Sequence, residues 1–506
     1  MTSSGAALIP PEIQAILGSS RKDETYWLVG GAVRDYLLQR RVVDFDFVVK
    51  GDALGLARRV ANLAGGDFYT LDDDRRAGRV LMSQTDTHYC LDFAQITGKT
   101  LEEDLHARDF TINAMALDLD HPDTLIDPSG GLQDLRDGLL RLPATDAISA
   151  DPIRALRALR LAVDLNFKIE PGAYDQVKQA GDWLDQISPE RLRDELFRLL
   201  GLNRPALGLR LLDHAGLLDA VLPSVASLRS LQQPPPHQID MLDHTLAVVQ
   251  RLSELLATLA PRHDAESSGD MALAEVALRL GRFRPHLSRY MLQEVSSDRT
   301  VRQLLYLAAL FHDSGKPSAA FQTPPESEKT EDDHGAGVRF IGYEAASAEL
   351  VVQAAEALKL SKAESEWLHR VVLNHMRPFQ LAGAGPTKRA IYRYHRQLEP
   401  TGVAVALLSL ADRLGTSASP PDEDEWKAQV DVVRVLLEPY FEEFDTAIKP
   451  EPLIDGDEVM AELELEPGPQ IGEILGAVLE AQAIGEVATQ EEALAYARRL
   501  YRESLK

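Results

Sequence analysis

Between residues 26 and 120 the apolar positions change period repeatedly. The runs 26-YWLV-29, 45-FDFVV-49, 80-VLM-82, 90-CLDF-93 and 115-MALDL-119 are short and rich in aromatic or β-branched side chains, which predicts strands. Residues 32–39 and 54–64 instead repeat apolar side chains at three- and four-residue spacing, which predicts helices. From Asp151 onward the helical period takes over almost entirely. The stretch 151-DPIRALRALRLAVDL-165 sets Pro152 at a first helical turn and spaces its apolar residues to match. Four segments rich in Pro, Ser, Gly and charge interrupt the helices, at 232–238, 261–270, 323–335 and 416–425. The expected fold is therefore α+β. A small mixed α/β head (20–145) precedes an all-α neck and body (146–232), a second all-α domain (238–418) and an acidic helical tail (425–506).

Composition narrows the function classes. A chain of 506 residues has room for several cores. Its net charge of −26 excludes a surface broadly coated by nucleic acid, though not a basic cleft on an acidic body. Residues 1–230 hold 26 Lys+Arg and 35 Asp+Glu, a balance of −9, and the rest hold 27 and 44, or −17. The excess acid thus lies mainly outside the head. The sole cysteine, Cys90, allows no intrachain disulfide, and residues 1–18 lack the basic and apolar regions of a signal peptide. No apolar run is long enough to span a bilayer, so the expected location is the cytoplasm.

Candidate chemistry begins at 28-LVGGAVRDYLLQRRVVDFDFVV-49. Alternation along the strand puts Asp44 and Asp46 on one side and Phe45 and Phe47 on the other. Paired carboxylates with no base between them suit Mg²⁺, a hard cation that prefers oxygen. Gly30 and Gly31 permit close backbone approach, the next helix offers N–H groups to a phosphate, and Arg34 adds a guanidinium fork. These parts describe metal-assisted attack of a hydroxyl on a nucleoside triphosphate.

GGAVRD followed by DFDFVV resembles the head of the bacterial-type (class II) tRNA nucleotidyltransferase and poly(A) polymerase family, within the DNA polymerase β superfamily. The likeness continues in order. HARDFTINAMAL (106–117) is similar to the family's Arg-Arg-Asp-Phe-Thr-x-Asn-Ala segment, and IDPSGGLQDLRDGLLR (126–141) to its flexible-loop motif. DPIRALRALRLA (151–162) resembles the base-reading Glu-Asp-x-x-Arg motif, and ERLRDELFRLL (190–200) the helix that stiffens the neck. The resemblance implies that Asp44 and Asp46 hold catalytic metals and that Gly31 and Arg34 contact the triphosphate. It implies that Arg108 and Asp109 meet phosphate and ribose, and that Asp151 and Arg154 read the incoming base. A carboxylate can accept from an exocyclic amine while a guanidinium donates to ring acceptors, so protein can replace a template strand. Arg157 and Arg160 follow in helical phase and are expected to flank the triphosphate. Two positions depart from the family: Ala107 replaces the first arginine of Arg-Arg-Asp, and Ala150 the glutamate of Glu-Asp. Asp92 is either a third carboxylate facing the metals or a polar strand-end residue.

A second constellation lies in 307-LAALFHDSGKP-317, where His312 and Asp313 end an apolar helix. With His244 in MLDHTLAVV and Asp412 in LSLADRLG they form an ordered set that resembles the HD phosphohydrolase superfamily. Mixed imidazole and carboxylate donors suit a transition-metal ion. His375 in LNHMRP is a further candidate ligand. Tyr343 stands where HD-bearing relatives usually carry histidine, with His334 as a substitute.

The resemblance implies an enzyme that adds CMP and AMP without a template to the tRNA 3′ end, from CTP and ATP. Arg191, Arg193, Arg198, Arg204 and Arg210 are expected to supply positive charge along the neck and body. The alternatives are a poly(A) polymerase, an enzyme adding only CC or only A, and an HD-type phosphohydrolase whose head merely binds RNA. The acidic C-terminus leans toward tRNA over long RNA.

Overall fold

The computed structural model describes residues 25–504, apart from 85–86, 119–120, 122–123, 230, 232–239, 263–269, 297–298, 319–320, 323–338, 341, 383–384 and 417–421. The loops expected at 232–238 and 323–335, including His334, lie outside the described residues, as does most of the loop at 261–270.

The chain divides into two compact units, one of residues 1–187 with 215–217, the other of 188–214 with 218–506. The first holds a seven-stranded sheet in the order β3-β4-β5-β2-β1-β6-β7. Its strands are β1 (Thr25–Val29), β2 (Asp44–Lys50), β3 (Asp67–Asp72), β4 (Ala77–Gln84), β5 (Thr87–Gln95), β6 (Ala116–Asp118) and β7 (Leu125–Ile126). Within this sheet β2–β5 is parallel and the other described pairs are antiparallel. All five expected strands and both expected helices, α1 (Gly31–Leu37) and α2 (Ala53–Ala64), are present. The strand β3 was missed because most of DFYTLD is open to solvent, so its apolar pattern is weak.

One face of the sheet is the core. Phe45, Phe47, Val80, Leu91 and Phe93 are buried on it, and the Phe47 and Phe93 rings stack at 4.9 Å between centroids. An added Cβ at Gly78 would sit 3.1 Å from Leu54 and 3.4 Å from Ala57, so α2 covers this face closely. Asp52 caps α2 by accepting from the Gly55 amide, and Gly65 ends it in the left-handed conformation. The opposite face carries Asp44 and Asp46, and beyond them α3 (Leu101–His106) supplies Leu105 to a small cluster with Val29, Val48 and Ala116.

The stretch 126–141, similar to the family's flexible-loop motif, holds the end of β7, helix α4 (Gly131–Asp137) and strand β8 (Leu139–Leu140). Asp127 fixes its start by accepting from the Gly131 and Leu132 amides. Helix α5 (Ala147–Ala150) then leads to α6 (Ile153–Leu165), on which Arg154, Arg157, Arg160 and Asp164 form the only stripe that is not buried.

The second unit is helical apart from short two-stranded ladders. It opens on α7 (Pro189–Leu200), capped by Ser188, and includes α8 (Pro205–His214) and α9 (Met241–Thr258). Helices α10 (Val301–Phe311), α11 (Tyr343–Ala357), α12 (Lys362–Asn374), α13 (Lys388–Leu398) and α14 (Gly402–Gly415) follow. The loop expected over 416–425 ends early, because Asp422 accepts from the Asp424 and Glu425 amides and starts α15 (Glu423–Glu442). Helices α16 (Gly456–Leu463), α17 (Pro469–Ala483) and α18 (Gln490–Ser504) form the tail around their own apolar cluster of Val459, Ile471, Ile474, Val478 and Ala493.

Candidate active site and metal centre

The sheet register assembles the first site. Val29, Asp46, Asp92 and Arg79 lie side by side across β1, β2, β5 and β4, and Asp44 lies beside Cys90 in the next row. Asp92 is therefore more than a strand-end residue: it faces the same side as the expected pair. Arg79, which the sequence reading missed, donates from Nε and Nη2 to the two Asp92 oxygens at 2.8 Å each. Three carboxylates crowded on one patch repel one another. The Asp46 carboxyl is pushed up to about 6, first by the protein packed around it and then by Asp92 and Asp44, against the pull of Arg108. More than a third of the residue's surface still meets solvent, so this is not a core group. A divalent cation would relieve that repulsion.

The turn before α1 is shaped to the same spot. Gly30 has φ +74°, and a Cβ there would lie 3.1 Å from both Asp46 Oδ2 and Arg108 Nη1. Only glycine leaves that space open without strain. Arg108 is aimed by Asp104, whose Oδ2 accepts from Nε and Nη2 at 3.2 Å. Arg34 is buried, its Nε and Nη2 held by Asp35 and its Nη1 by Asn113 Oδ1 at 2.8 Å. The same Asn113 donates to Asp109 Oδ1 at 2.9 Å, which also accepts from the Phe110 amide, and Asp109 Oδ2 accepts from Arg157 at 2.9 Å. Burial opposes charge on Asp109, but Arg157, Asn113 and Arg154 outweigh it and hold the carboxyl below its usual range. Arg34 and Asp109 are thus committed to internal partners. Arg154 donates to the carbonyls of Ala107, Arg108 and Ala147, the Ala107 bond at an exposed position, with Nε 3.8 Å from Asp151 Oδ2. Asp151, Arg154 and the Arg108 segment form one connected network. Sequence reading did not anticipate Asn113 or Asp104 as its connectors, although Asn113 sits inside a quoted motif. Ala107 and Ala150 are exposed.

The second site lies in the helical unit. His244 on α9, His312 and Asp313 just past α10, and Asp412 on α14 converge there. His244 Nε2 is 3.4 Å from Asp313 Oδ2 and 3.3 Å from Asp412 Oδ1. His312 Nε2 is 3.2 Å and 3.6 Å from the same oxygens. Ligand atoms of His244, His312 and Asp412 all fall within 4.8 Å of one another. Both histidines turn Nδ1 toward a backbone carbonyl, of Gly415 at 3.2 Å and Ala309 at 2.8 Å. A carbonyl only accepts, so Nδ1 carries the hydrogen and Nε2 presents its lone pair to the gap. His312 Nε2 is fully buried and, despite its closeness to Asp313, is not aligned for any hydrogen bond. Burial opposes charge on His312, yet the two carboxylates push it up to about 10: the buried acids favour positive charge beside them, which a metal ion on Nε2 would supply in place of a proton. The donors fit a metal ion. Lys316, also missed, bonds Asp313 Oδ2 at 2.7 Å. His375 is buried nearby with its Nε2 engaged by the Tyr343 hydroxyl at 3.2 Å.

The arginines expected along the neck are partly neutralised. Arg193 pairs with Asp194, Arg198 with Glu195 and Arg210 with Asp243. Among the described residues no helix is long and apolar enough to cross a membrane.

Comparison with known proteins places both units in known families. Residues 26–141 match the family described as Poly A polymerase head domain, 166–228 that described as Probable RNA and SrmB-binding site of polymerase A, and 241–417 the HD domain. Over 482 residues the chain is 33% identical to the A-adding tRNA nucleotidyltransferase of Deinococcus radiodurans, covering 94% of this chain and 96% of that one. It is 31% identical to the CC-adding tRNA nucleotidyltransferase of Thermus thermophilus, covering 92% of each. A CCA-adding enzyme solved in complex with ATP shares the fold, with a TM-score of 0.60 at 19% identity over 100% of both chains. With its polymerase head, RNA-binding segment and HD domain in that order, the chain belongs to the tRNA nucleotidyltransferase family.

Proposed function

We infer that this protein adds CMP and AMP, without a template, to the 3′ end of tRNA, using CTP and ATP in the cytoplasm. The observation that carries the reading is the row of Asp46 and Asp92, with Asp44 beside it, on the sheet face that Gly30 and Arg108 border. Asp44 and Asp46 would hold Mg²⁺, whose charge stabilises the attacking and leaving oxygens of an in-line displacement. Gly30, Gly31 and Arg108 receive the triphosphate, while Arg34, Asp109, Arg157 and Arg160 brace the pocket wall and its positive field. Asp151 and Arg154 meet the base edge. Positioning and charge neutralisation carry most of the rate. In the HD domain, His244, His312, Asp313 and Asp412 would hold a transition-metal ion. The functional division follows as head 20–145, neck and body 146–232, HD domain 238–418 and tail 425–506. Neither poly(A) synthesis nor a head that merely binds RNA is favoured, since the relatives that span the chain are named for nucleotide addition to tRNA.

The test is extension of tRNA lacking its terminal nucleotides, with labelled CTP alone, ATP alone and both. A-adding and CC-adding relatives match this chain almost equally, so the three reactions report which bases are added. Asp44→Asn is expected to abolish all addition while leaving the fold intact. Long homopolymer tails on any RNA, or full activity in the variant, would overturn the reading.

A further inference from the structure

We propose that the unpaired 3′ end of the RNA substrate lies on the open flank of the carboxylate-bearing sheet face, with one of its bases stacked on Tyr69. This deepens the reading above and rests on it. The row that holds Asp46, Asp92 and Arg79 runs one strand further, to Tyr69 on β3, because Tyr69 pairs with Arg79. The adjacent row runs from Asp44 through Cys90 to Leu81. Paired residues point to the same side of a sheet, so the ring of Tyr69 and the side chain of Leu81 share the face of the catalytic acids. Both are open to solvent, at 51% and 41%. The core face of the same strands is covered by α2, so this flank is an uncovered apolar shelf continuous with the active site.

In-line chemistry decides which ligand uses the shelf. The attacking oxygen and the leaving pyrophosphate must lie on opposite sides of the reacting phosphorus. The triphosphate belongs on the Gly30 side, where β1 flanks β2. The attacking hydroxyl must then arrive from the other side, across β5, where Asp92 stands. The nucleotides behind that hydroxyl continue outward over β5, β4 and β3. At ~4.8 Å per strand, Tyr69 lies roughly 14 Å from Asp46, a distance spanned by a few nucleotides. Aromatic rings take any base face to face, which suits an end that every tRNA shares. Arg41, which donates to Thr87 on β5 at 2.8 Å, brings positive charge to the route, and Arg79, paired with Asp92, spans it at mid-path.

The experiment is steady-state addition by the full chain, wild type against Tyr69→Ala, Tyr69→Phe and Leu81→Ala. Tyr69→Ala is expected to raise KM for tRNA by roughly tenfold or more, the usual effect of losing one stacking ring. KM for the nucleotides should stay within about twofold, Tyr69→Phe should behave as wild type, and Leu81→Ala should show a smaller rise in KM for tRNA. In parallel, tRNA carrying 5-iodocytidine near its 3′ end should crosslink to residue 69. An unchanged KM for tRNA in Tyr69→Ala, with wild-type addition intact, overturns the shelf and spares the functional reading. A wild type that adds nothing to tRNA overturns both.

Discussion

At the scale of single residues, the head site is a case of charges that are affordable only together. Asp109 is almost fully buried and is held ionised by Arg157, Asn113 and Arg154. Removing one partner leaves an uncompensated buried charge. Arg157→Met should therefore cost about 2–3 kcal/mol at neutral pH, less than the ~3–5 of a fully buried pair because Arg157 keeps some exposure. The sign with pH follows from linkage. A carboxyl whose folded value is depressed contributes stability above its unfolded value of about 4, and that contribution is lost as pH falls through the folded value. The deficit of Arg157→Met should accordingly shrink toward pH 4, where Asp109 in the variant is protonated and no longer needs a partner. Calorimetric unfolding of the full chain at pH 7 and pH 4 checks this, and an equal deficit at both would refute it. The residue types of this network were readable, since Asp109, Arg154 and Arg157 stand in recognisable motifs. Their partners were not. Nothing in the spacing says that one amide, Asn113, would bridge Arg34 and Asp109, because that bridge exists only once residues 79 apart are folded together.

At the scale of elements, the β1–α1 turn and the parallel β2–β5 pair do most to place the chemistry. Alternation along β2 revealed the shared face of Asp44 and Asp46, since that is a local property of one strand. The alignment of Asp92 with Asp46 was ambiguous because register between distant strands is set by packing, not by local pattern. The weakly patterned β3 and the helix within 126–141 were invisible for the related reason that short or exposed elements carry little periodicity. The turn itself is testable. Gly30→Ala would force a side chain into left-handed backbone, costing of order 1 kcal/mol, and would push its methyl against Asp46 and Arg108. The expected result is a modest fall in melting temperature with a much larger fall in kcat. Loss of stability alone, with kcat kept, would show that the turn does not border the reacting groups.

At the scale of the whole molecule, two donor sets of different chemistry are built by separate units of the chain. The head set is all carboxylate, with Asp44 and Asp46 open to solvent. The HD set is half imidazole, nearly sealed, and oriented by backbone carbonyls on the far side of each ring. Hard oxygen donors favour Mg²⁺, whereas imidazole raises the preference for later transition metals. Each site should therefore load independently. His312→Ala removes the one buried imidazole nitrogen that has no hydrogen-bond partner and lies against both carboxylates. Elemental analysis of the purified chain should show a transition metal at close to one equivalent in wild type and at least a tenfold loss in the variant. Addition of nucleotides to tRNA with Mg²⁺ should stay within about twofold. Far-ultraviolet circular dichroism separates metal loss from unfolding, and His312→Gln, which keeps the side chain's bulk and polarity, guards against a collapsed site. If a folded variant without the metal also loses nucleotide addition, the two sites are coupled, and the HD domain serves the polymerase reaction rather than a chemistry of its own.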